Sequence, residues 1–301
     1  MRIGTRGSPL ALAQTREIRK ALAAALRAEE SRFEIVVIRT SGDAIQDRSL
    51  AELGGKGLFT KEIDAAMLNG EIDAAVHSAK DLPSFLPGGI ALVGCPLRED
   101  VREALVSARG ASFAALPEGA RLGTASPRRQ AQAKRLRPDL RVVLLRGNVE
   151  TRLRKAEGGE VDATLLACAG LKRLGLLSRA TAILEIEEFL PAVGQGALAL
   201  TARANDDSTI AALRSIVNAD TTTAVATERA FLAALGGSCR TPIAGYARPV
   251  SGRLDFRGEV LRLDGSEAFE VASSGDAQEA VRLGDEAGRE LLGRLPRDIL
   301  T

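Results

Sequence analysis

The sequence is poor in the residues on which many enzyme mechanisms depend. Its 301 residues include one histidine and no tryptophan, and aromatic residues make up 3% of the chain. A catalytic triad or a histidine-rich metal site would have to be built around His77 alone. Aspartate, glutamate, lysine, arginine and cysteine must therefore carry any reaction, and we predict no metal site. The shortage of aromatic rings also argues against stacking on nucleic-acid bases.

An excess of charge of one sign and long apolar runs are missing as well. The chain has 41 basic and 39 acidic residues and a net charge of +2, so any anion site must be local. No apolar run approaches about 18 residues, and the first residues lack the apolar stretch of a signal peptide. Cys95, Cys168 and Cys239 form neither a disulfide framework nor a zinc motif. These features predict a reduced, cytoplasmic protein that binds neither nucleic acid nor a membrane.

The chain contains an internal duplication. RIGTRGSPLALAQ begins at Arg2 and RLGTASPRRQAQ begins at Arg121. Each is predicted to be a strand followed by a helix that starts with a serine cap and a proline. GEIDAAVHSAKDL from Gly70 and GEVDATLLACAGL from Gly159 repeat a second unit, and FEIVVIR and LRVVLLR supply matching buried strands. We predict two related α/β lobes that bind a ligand at the carboxyl ends of their strands.

The duplication and the composition together predict three domains. The first lobe comprises residues 1–96 with 197–216, and the second comprises residues 99–191. The chain crosses between them in CPLRED and in FLPAVGQGAL. Residues 219–301 form a small α+β domain with a helix over 221–235, a hairpin with an Asp-Gly turn and a final amphipathic helix.

Basic and hydroxyl residues gather where the predicted strands end in helices. They include Arg6, Ser8, Lys56, Ser78, Lys80, Thr124, Ser126, Arg128, Arg129, Arg146, Arg152 and Arg173. Helix N-terminal amides and arginine forks bind carboxylates or phosphates, so a cleft that prefers polyanions is predicted. Glycine follows Lys56 where a P-loop needs Ser or Thr, which argues against nucleotide binding. Asp81 should stay ionised among these cations, either as a catalytic carboxylate or only as a salt-bridge partner.

Cys239 lies in the segment LGGSCRTPIAGYA, just after the predicted helix. Gly236 and Gly237 are expected to end that helix with left-handed backbone. The neighbouring Arg240 would favour the thiolate form of an exposed cysteine. A small, half-buried side chain that only fills space fits the same local sequence equally well. Both interpretations stay open from the residues alone.

Taken in order, these motifs resemble the porphobilinogen deaminase family. The resemblance extends over nearly the whole chain, through RIGTRGSPLALAQ, GGKGLFTKE, HSAKDLP, GTASPRRQ, LRGNVETRL, AGLKRLGL, LPAVGQGA and GGSCRTPIAGYA. It implies two lobes like those of type II periplasmic binding proteins and a third domain that carries the cysteine. The implied activity is that of a transferase of porphyrin and haem biosynthesis. It joins four porphobilinogen molecules head to tail into hydroxymethylbilane and releases ammonia.

The resemblance also implies roles for individual residues. Cys239 would hold a dipyrromethane cofactor through a thioether, and Asp81 would be catalytic. The residues implied to hold the cofactor are Ser78, Lys80, Asp81, Thr124, Ser126, Arg128 and Arg129. Those implied to bind substrate and the growing chain are Arg6, Ser8, Arg146, Arg152, Arg173 and Gln195, while Lys56 and Phe59 belong to a mobile loop. A monomer that passes its product to uroporphyrinogen-III synthase is implied as well.

Two other classes of function fit parts of the sequence. A binding protein that holds an anion between hinged lobes accounts for the duplication and the arginines, but it gives no purpose to the third domain or to Cys239. Nucleic-acid binding would rest on ASPRRQAQAKRLRPDLR alone, and the near-neutral net charge is against it. Covalent pyrroles on the purified protein would distinguish the enzyme from a binding protein.

Overall fold

The computed structural model of this chain describes residues 1–44, 57, 59–238 and 241–300. The first part of the chain forms β1 (Arg2–Arg6), α1 (Pro9–Ala25), β2 (Glu34–Ile38), α2 (Ser41–Ala44), α3 (Lys61–Leu68), β3 (Ala74–Ser78) and β4 (Ile90–Gly94). The middle part forms β5 (Glu103–Ser107), β6 (Arg121–Thr124), α4 (Pro127–Leu136), β7 (Arg141–Leu144), α5 (Val149–Glu157), β8 (Ala163–Ala167), α6 (Cys168–Arg173) and β9 (Ala182–Leu184). The last part forms β10 (Leu198–Arg203), α7 (Asp207–Arg214), α8 (Ala219–Ala234), β11 (Ile243–Val250), β12 (Arg253–Leu261), β13 (Ala268–Asp276) and α9 (Ala280–Arg294). Within these described ranges, no helix is both long and apolar enough to span a membrane.

Two five-stranded sheets share one topology. The strand order is β2-β1-β3-β10-β4 in the first sheet and β7-β6-β8-β5-β9 in the second. In each sheet one strand, β10 or β5, runs antiparallel to both of its neighbours. The chain passes from β4 to β5 over residues 95–102 and from β9 to β10 over residues 185–197. The antiparallel strand of each sheet is therefore the first strand formed after a crossing. The predicted pair of duplicated α/β lobes is confirmed.

The two lobes begin their first long helices in the same way. Ser8 Oγ accepts a hydrogen bond from the backbone N–H of Ala11 at 3.3 Å, and Pro9 is the first residue of α1. Ser126 Oγ accepts from the backbone N–H of Arg129 at 3.4 Å, and Pro127 is the first residue of α4. The predicted serine caps are confirmed at both positions.

A pair of aspartates explains why the Gly-Glu-x-Asp-Ala motif occurs twice. The backbone N–H of Arg2 donates to Asp73 Oδ2 at 2.8 Å, and its guanidinium pairs with the same carboxylate. Arg121 makes the matching contacts with Asp162, again with a backbone hydrogen bond of 2.8 Å. In each lobe the motif's aspartate thus fixes the start of the first strand beside the start of its parallel neighbour.

The prediction that FEIVVIR and LRVVLLR form buried strands is wrong in one respect. Both segments form strands, β2 and β7, but each lies at the outer edge of its sheet. Val37 and Leu144 are 51% and 52% exposed. An edge strand has only one neighbour, so an apolar sequence alone does not place it inside the lobe.

The third domain packs α8 and α9 on the antiparallel sheet β11-β12-β13. Its core centres on Phe231, which is fully buried and lies 4.9 Å from the ring centroid of Phe256. The hairpin between β12 and β13 contains the predicted Asp-Gly turn, with Gly265 at φ +76°. Helix α8 begins two residues before the predicted start. It is followed by Gly236, whose φ of +62° is left-handed as predicted. The same prediction is wrong for Gly237, which does not have left-handed backbone.

One buried carboxylate joins the third domain to both crossings. Glu228 on α8 has no solvent exposure. It forms a two-pronged ion pair with Arg98 of the first crossing, at 2.6 and 3.0 Å. It also accepts hydrogen bonds from the backbone N–H of Gly194 in the second crossing, at 2.7 Å, and of Ala247 in β11, at 2.9 Å. The position of the third domain relative to the two lobes therefore depends on this side chain.

Replacement of Glu228 by alanine should strongly destabilise the protein, because Arg98 would keep a buried charge without a partner. We expect the free energy of unfolding to fall by about 3–5 kcal/mol, measured by urea denaturation. Glu290→Ala is the control, since Glu290 is exposed and its described ion-pair partner is Arg294 on its own helix. That variant should change the free energy by less than about 1 kcal/mol. Equal effects of the two substitutions would contradict the role of Glu228.

Candidate active site

The two lobes enclose a cavity of about 690 Å³. Its wall is formed by the carboxyl ends of β1, β3 and β8 and by the first turns of α1 and α5, as expected for a ligand site in α/β sheets. Among the residues that the structure describes, seven basic side chains line it: Arg6, Arg39, Lys80, Arg129, Arg146, Arg152 and Arg173. Asp81 is the one acidic side chain among those lining residues. A ligand with several carboxylates matches this excess of positive charge.

Asp81 follows β3 and faces the cavity with about a third of its side chain exposed. Its nearest described cation is Arg6, whose Nη1 lies 3.9 Å from Asp81 Oδ2. The guanidinium of Arg6 also stacks over the ring of Phe59, 4.2 Å from the ring centroid. Asp81 is thus only loosely paired, and its carboxylate can still contact a ligand.

Two cations of the cavity have lowered pKa values. Burial, reinforced by repulsion from Arg129, lowers the pKa of Lys80 to about 8. Burial, together with the nearby Arg129 and Arg146, lowers the pKa of Arg152 to about 10. Both shifts have the same physical origin, since positive charges are crowded in a partly desolvated space. Bound anions would relieve this repulsion.

Glu103, at the start of β5, supports the cavity wall from behind. It is fully buried and accepts hydrogen bonds from Arg129 at 2.8 and 3.1 Å, from Arg128, and from Gln195 at 3.1 Å. Burial alone would raise the pKa of Glu103, but the guanidiniums of Arg129 and Arg128 hold it well below its usual range. Gln195 in turn accepts a hydrogen bond of 3.4 Å from Lys80 Nζ. One carboxylate therefore orients residues from both lobes and from the second crossing.

The structure divides the residues predicted from the sequence into two groups. Those that line the cavity together are Arg6, Ser8, Phe59, Ser78, Lys80, Asp81, Arg129, Arg146, Arg152 and Arg173. Those that lie in the wall behind it are Thr124, Ser126, Arg128 and Gln195. Arg128 points away from the ligand space, because its guanidinium donates to Glu103, to Gln132 Oε1 at 2.9 Å and to the carbonyl oxygen of Leu190 at 3.0 Å.

Arg173 connects the two lobes across the cavity. It belongs to α6 of the second lobe, and its Nε lies 3.0 Å from Glu17 Oε2 on α1 of the first lobe. Its terminal nitrogens both donate to the carbonyl oxygen of Gly196 in the second crossing, at 3.3 Å. Only 7% of its side chain is exposed. The arginine therefore acts first as a bridge between the lobes.

The single histidine and two of the three cysteines have clear environments in the structure. His77 is buried, and burial, aided by Arg6, lowers its pKa to about 4, so its ring is neutral near pH 7. Cys95 and Cys168 are buried, and burial raises the pKa of each thiol to about 12. Cys239 and Lys56 lie outside the residues that the structure describes.

The residues that flank Cys239 are held in place. Two hydrogen bonds join Ser238 to Thr241: Ser238 N–H donates to Thr241 Oγ1 at 3.0 Å, and Thr241 Oγ1 donates to the Ser238 carbonyl at 2.7 Å. Ser84 Oγ donates to the carbonyl oxygen of Gly237 at 3.2 Å. Ser84 comes three residues after Asp81, so the segment after Asp81 contacts the third domain two positions before Cys239 in the sequence.

Three residues that shape the site were not predicted from the sequence. Arg39, directly after β2, is one of the seven described cations that line the cavity. Gln14 on α1 is almost fully buried, lines the cavity and donates to Ser78 Oγ at 2.9 Å. The sequence did contain a signal for Gln14, because it is a polar residue on the apolar face of an amphipathic helix. Its buried neighbours on that face are Ala11, Ile18 and Leu22. Glu103 gave no comparable signal, because its partners lie 25 or more residues away in the sequence.

Glu103→Gln should lower stability, because it removes the negative charge that compensates Arg128 and Arg129. We expect a loss of about 3–5 kcal/mol in the free energy of unfolding near pH 7. The control is Glu185→Gln, which alters an exposed partner of Arg102 in the same lobe.

The pH dependence of this loss tests its cause. A carboxylate whose pKa is lowered by folding adds stability above its unfolded pKa, and this stability disappears as the pH falls towards the folded pKa. The difference between wild type and Glu103→Gln should therefore be constant from about pH 5 to 8 and shrink below about pH 4.3. A difference that does not change with pH would contradict the electrostatic explanation.

Comparison with known proteins agrees with this site. The family described as "Porphobilinogen deaminase, dipyromethane cofactor binding domain" matches residues 1–211, and "Porphobilinogen deaminase, C-terminal domain" matches residues 222–293. The porphobilinogen deaminase of Nitrobacter hamburgensis is 55% identical over 299 residues, which cover 99% of this chain and 95% of the relative. The chloroplastic porphobilinogen deaminase of Oryza sativa subsp. japonica is 52% identical and covers 97% of this chain, with 83% of the relative covered.

A solved periplasmic substrate-binding protein of an ABC transporter from Coxiella burnetii covers 76% of this chain at 17% identity. This match covers 96% of that protein, and its TM-score of 0.46 is too low for a conclusion. The family matches span nearly the whole sequence, and the relatives share about half of their residues with it. The chain belongs to the porphobilinogen deaminase family.

Proposed function

We propose that this chain joins four porphobilinogen molecules head to tail into the linear tetrapyrrole hydroxymethylbilane and releases ammonia. The observation that carries the proposal is the cavity, in which seven described cations surround Asp81. Porphobilinogen is an aminomethyl pyrrole with an acetate and a propionate group, so each added ring brings two carboxylates. Family membership supplies the reaction, and the charge of the cavity suits its increasingly anionic intermediates.

The residues of the cavity fit the dipyrromethane cofactor that the family's domain binds. A dipyrromethane made from two substrate units carries four carboxylates. Burial is the main cause of the lowered pKa values of Lys80 and Arg152, and repulsion from neighbouring arginines adds to it. A tetra-anion would compensate this repulsion. We propose that Ser78, Lys80 and Arg129 hold the cofactor directly, and that Thr124, Ser126 and Arg128 shape the wall behind Arg129.

Elimination among the three cysteines supports Cys239 as the covalent anchor. Cys95 and Cys168 are buried, and the pKa of each thiol is raised to about 12, so neither provides a nucleophilic thiolate near neutral pH. Cys239 follows a segment that contacts Ser84, close in sequence to Asp81. We therefore propose a thioether between Cys239 and the cofactor.

The proposed role of Asp81 follows from the charge that the reaction creates. Loss of ammonia breaks the C–N bond of the aminomethyl group, and the pyrrole nitrogen releases electron density and becomes positive. The cofactor, when bound, supplies the pyrrole α-carbon that forms the new C–C bond. Asp81 stabilises the positive nitrogen and accepts the proton that must leave during coupling. A fixed carboxylate that is only loosely paired with Arg6 suits this role.

The remaining cavity residues bind and orient. Arg6, Arg146 and Arg152 offer guanidiniums for the substrate and chain carboxylates, and Ser8 offers a hydroxyl beside the N-terminus of α1. We propose that Arg173 keeps the lobes at the right separation and binds the chain as it lengthens, supported by its contacts with Glu17 and Gly196. Gln195 links Lys80 to Glu103 and so orients the ammonium group.

The division into domains, the assembly state and the location are proposed on the same basis. The three sheets support a first lobe of residues 1–96 with 197–216, a second of 99–191 and a third domain of 219–301. Resemblance to the family supports a cytoplasmic monomer whose product passes to uroporphyrinogen-III synthase. We also propose that Lys56 and Phe59 belong to a loop over the cavity, as the contact between Phe59 and Arg6 supports.

A stoichiometric assay tests the proposed reaction directly. Purified protein incubated with porphobilinogen should release one ammonia for each porphobilinogen consumed and form one linear tetrapyrrole for every four. Protein that binds porphobilinogen without releasing ammonia would contradict the proposed enzyme and favour the binding-protein interpretation.

Asp81→Asn should reduce kcat by roughly 10²–10³-fold, because an amide cannot compensate the charge on the pyrrole nitrogen. The thermal midpoint should change little, since Asp81 is partly exposed and its nearest described cation lies 3.9 Å away. Glu71→Gln is the control, because Glu71 is an exposed acid of the same lobe. Near-normal turnover in Asp81→Asn would refute the assignment.

The pKa of Lys80 predicts a pH limit for anion binding. The ammonium has a pKa of about 8 in the protein, so Lys80 loses its charge as the pH rises through this value. The affinity for an unreactive pyrrole bearing acetate and propionate groups should therefore fall above about pH 8, as measured by calorimetry. Lys80→Arg should remove the fall around pH 8 and leave only the decline that begins as the pH approaches the pKa of Arg152, about 10. Lys172→Arg, an exposed control, should retain the fall around pH 8. An affinity of wild type that stays constant from pH 7 to 10 would contradict the prediction.

A further inference from the structure

The segment that follows Asp81 is attached to the third domain by two side chains. Arg229 on α8 donates from Nη2 to the backbone carbonyl oxygens of Pro83, at 2.8 Å, and Ser84, at 3.1 Å. Ser84 returns a hydrogen bond from its hydroxyl to the carbonyl oxygen of Gly237, at 3.2 Å. Both contacts lie within three residues of Asp81, and Gly237 lies two residues before Cys239.

Arg229 stands out because its charge is poorly compensated. The side chain is partly buried, and burial lowers the pKa of its guanidinium. Its hydrogen bonds go to the two carbonyl oxygens, and among the described residues no carboxylate lies within ion-pair distance. A charged donor makes stronger hydrogen bonds than a neutral one. Burial of this charge is unfavourable, and the hydrogen bonds that it makes fix the backbone just after Asp81.

The rest of α8 strengthens this connection to the first lobe. Thr222 Oγ1 accepts a hydrogen bond from the backbone N–H of Cys95 at 3.0 Å, and Thr221 Oγ1 accepts from that of Arg98 at 3.1 Å. Helix α8 therefore contacts the first lobe near its N-terminus and again at Arg229. Because it is attached at both places, α8 can hold the segment after Asp81 in one position.

We propose that Arg229 and Ser84 are positioning residues that fix Asp81 relative to the end of α8, from which the chain leads to Cys239. The inference rests on the proposed function, in which Asp81 acts on pyrroles anchored at Cys239. Ser84 comes three residues after Asp81, one hydrogen bond joins Ser84 to Gly237, and Gly237 comes two residues before Cys239. This is a short physical connection between the proposed catalytic carboxylate and the proposed anchor.

If the proposal is right, Arg229 and Ser84 affect the turnover rate of each protein molecule that carries the covalent pyrroles. A misplacement of about 1 Å at the reacting groups can reduce a rate by about 10²-fold. Arg229→Met should therefore reduce kcat at least about tenfold. The KM should stay within about twofold, because the cavity's anion-binding residues are unchanged.

The experiment compares Arg229→Met, Arg229→Lys and Ser84→Ala with wild type and with the control Arg248→Met. Arg248 is an exposed arginine of the same domain that pairs with Asp255 at 3.6 Å. Each protein is incubated with porphobilinogen, and the rate of gain of two pyrrole units is followed by intact mass. Turnover is then normalised to the fraction that carries the adduct, and the thermal midpoint is recorded.

Slower adduct formation and lower normalised kcat in Arg229→Met would support the proposal, together with partial rescue by Arg229→Lys. Lysine can still donate to the two carbonyl oxygens. Ser84→Ala removes only a hydroxyl, so it should fold and show a smaller loss of about two- to fivefold. This variant decides the outcome if Arg229→Met does not fold. Arg248→Met should match wild type.

Normalised kcat and loading rates equal to wild type in Ser84→Ala and in every folded Arg229 variant would overturn the inference, even if their thermal midpoints fall. That result would mean that the contacts serve stability alone. Failure of the proposed function has a different signature. Wild type itself would then gain no adduct and release no ammonia, and the inference would fall with it.

Discussion

The architecture of the site depends on a carboxylate that never contacts solvent. Glu103 lies behind a cavity wall that is crowded with positive charge, and it holds Arg128, Arg129 and, through Gln195, Lys80. Without it, two buried guanidiniums would lose the carboxylate to which both are hydrogen-bonded. With Glu103 in place, Arg129 can face the cavity while its charge is compensated. A cavity that attracts anions is thus stabilised by an anion placed where no ligand can reach it.

A second buried carboxylate, Glu228, connects the third domain to the two crossings between the lobes. Glu228 accepts hydrogen bonds from both crossings and from the third domain, and its partner Arg98 also donates from Nε to the carbonyl oxygen of Gln195 at 2.8 Å. Glu103 contacts the side chain of the same Gln195. Both carboxylates therefore contact the second crossing, Glu103 through the side chain of Gln195 and Glu228 through the backbone N–H of Gly194. Gln195 thus connects the charged residues of the cavity wall to the contacts that position the third domain.

Local sequence signals predicted much of this molecule. The serine-proline helix starts and the Asp-Gly turn each depend on residues close together in the chain, and each has the predicted geometry. The repeated Gly-Glu-x-Asp-Ala motif indicated the duplication that the two sheets confirm. Six of the seven described cations of the cavity were predictable for the same reason, since they follow strands whose ends meet at one edge of a sheet, whereas Arg39 was not predicted. Resemblance to the family added the roles of Asp81 and Cys239, which no local pattern could assign.

What the sequence could not predict depends on distant partners. The role of Glu103 comes from residues 25 and more positions away, and that of Glu228 from Arg98, 130 positions away. Arg128 and Arg129 are adjacent in sequence and both bind Glu103, yet of the two Arg129 lines the cavity, because helix α4 turns Arg128 towards Gln132 and Leu190. The exposure of β2 and β7 also escaped prediction, since strand order is decided by the whole sheet.

The central claim is that Asp81 and the surrounding cations serve pyrroles anchored at Cys239. Intact mass of the denatured protein after incubation with porphobilinogen, followed by peptide mapping of residues 230–248, tests it most directly. The account predicts an added mass of two pyrrole units on Cys239 in wild type and no covalent adduct in Cys239→Ser. A wild-type chain that stays unmodified, or a Cys239→Ser variant that gains the same adduct elsewhere, would contradict it.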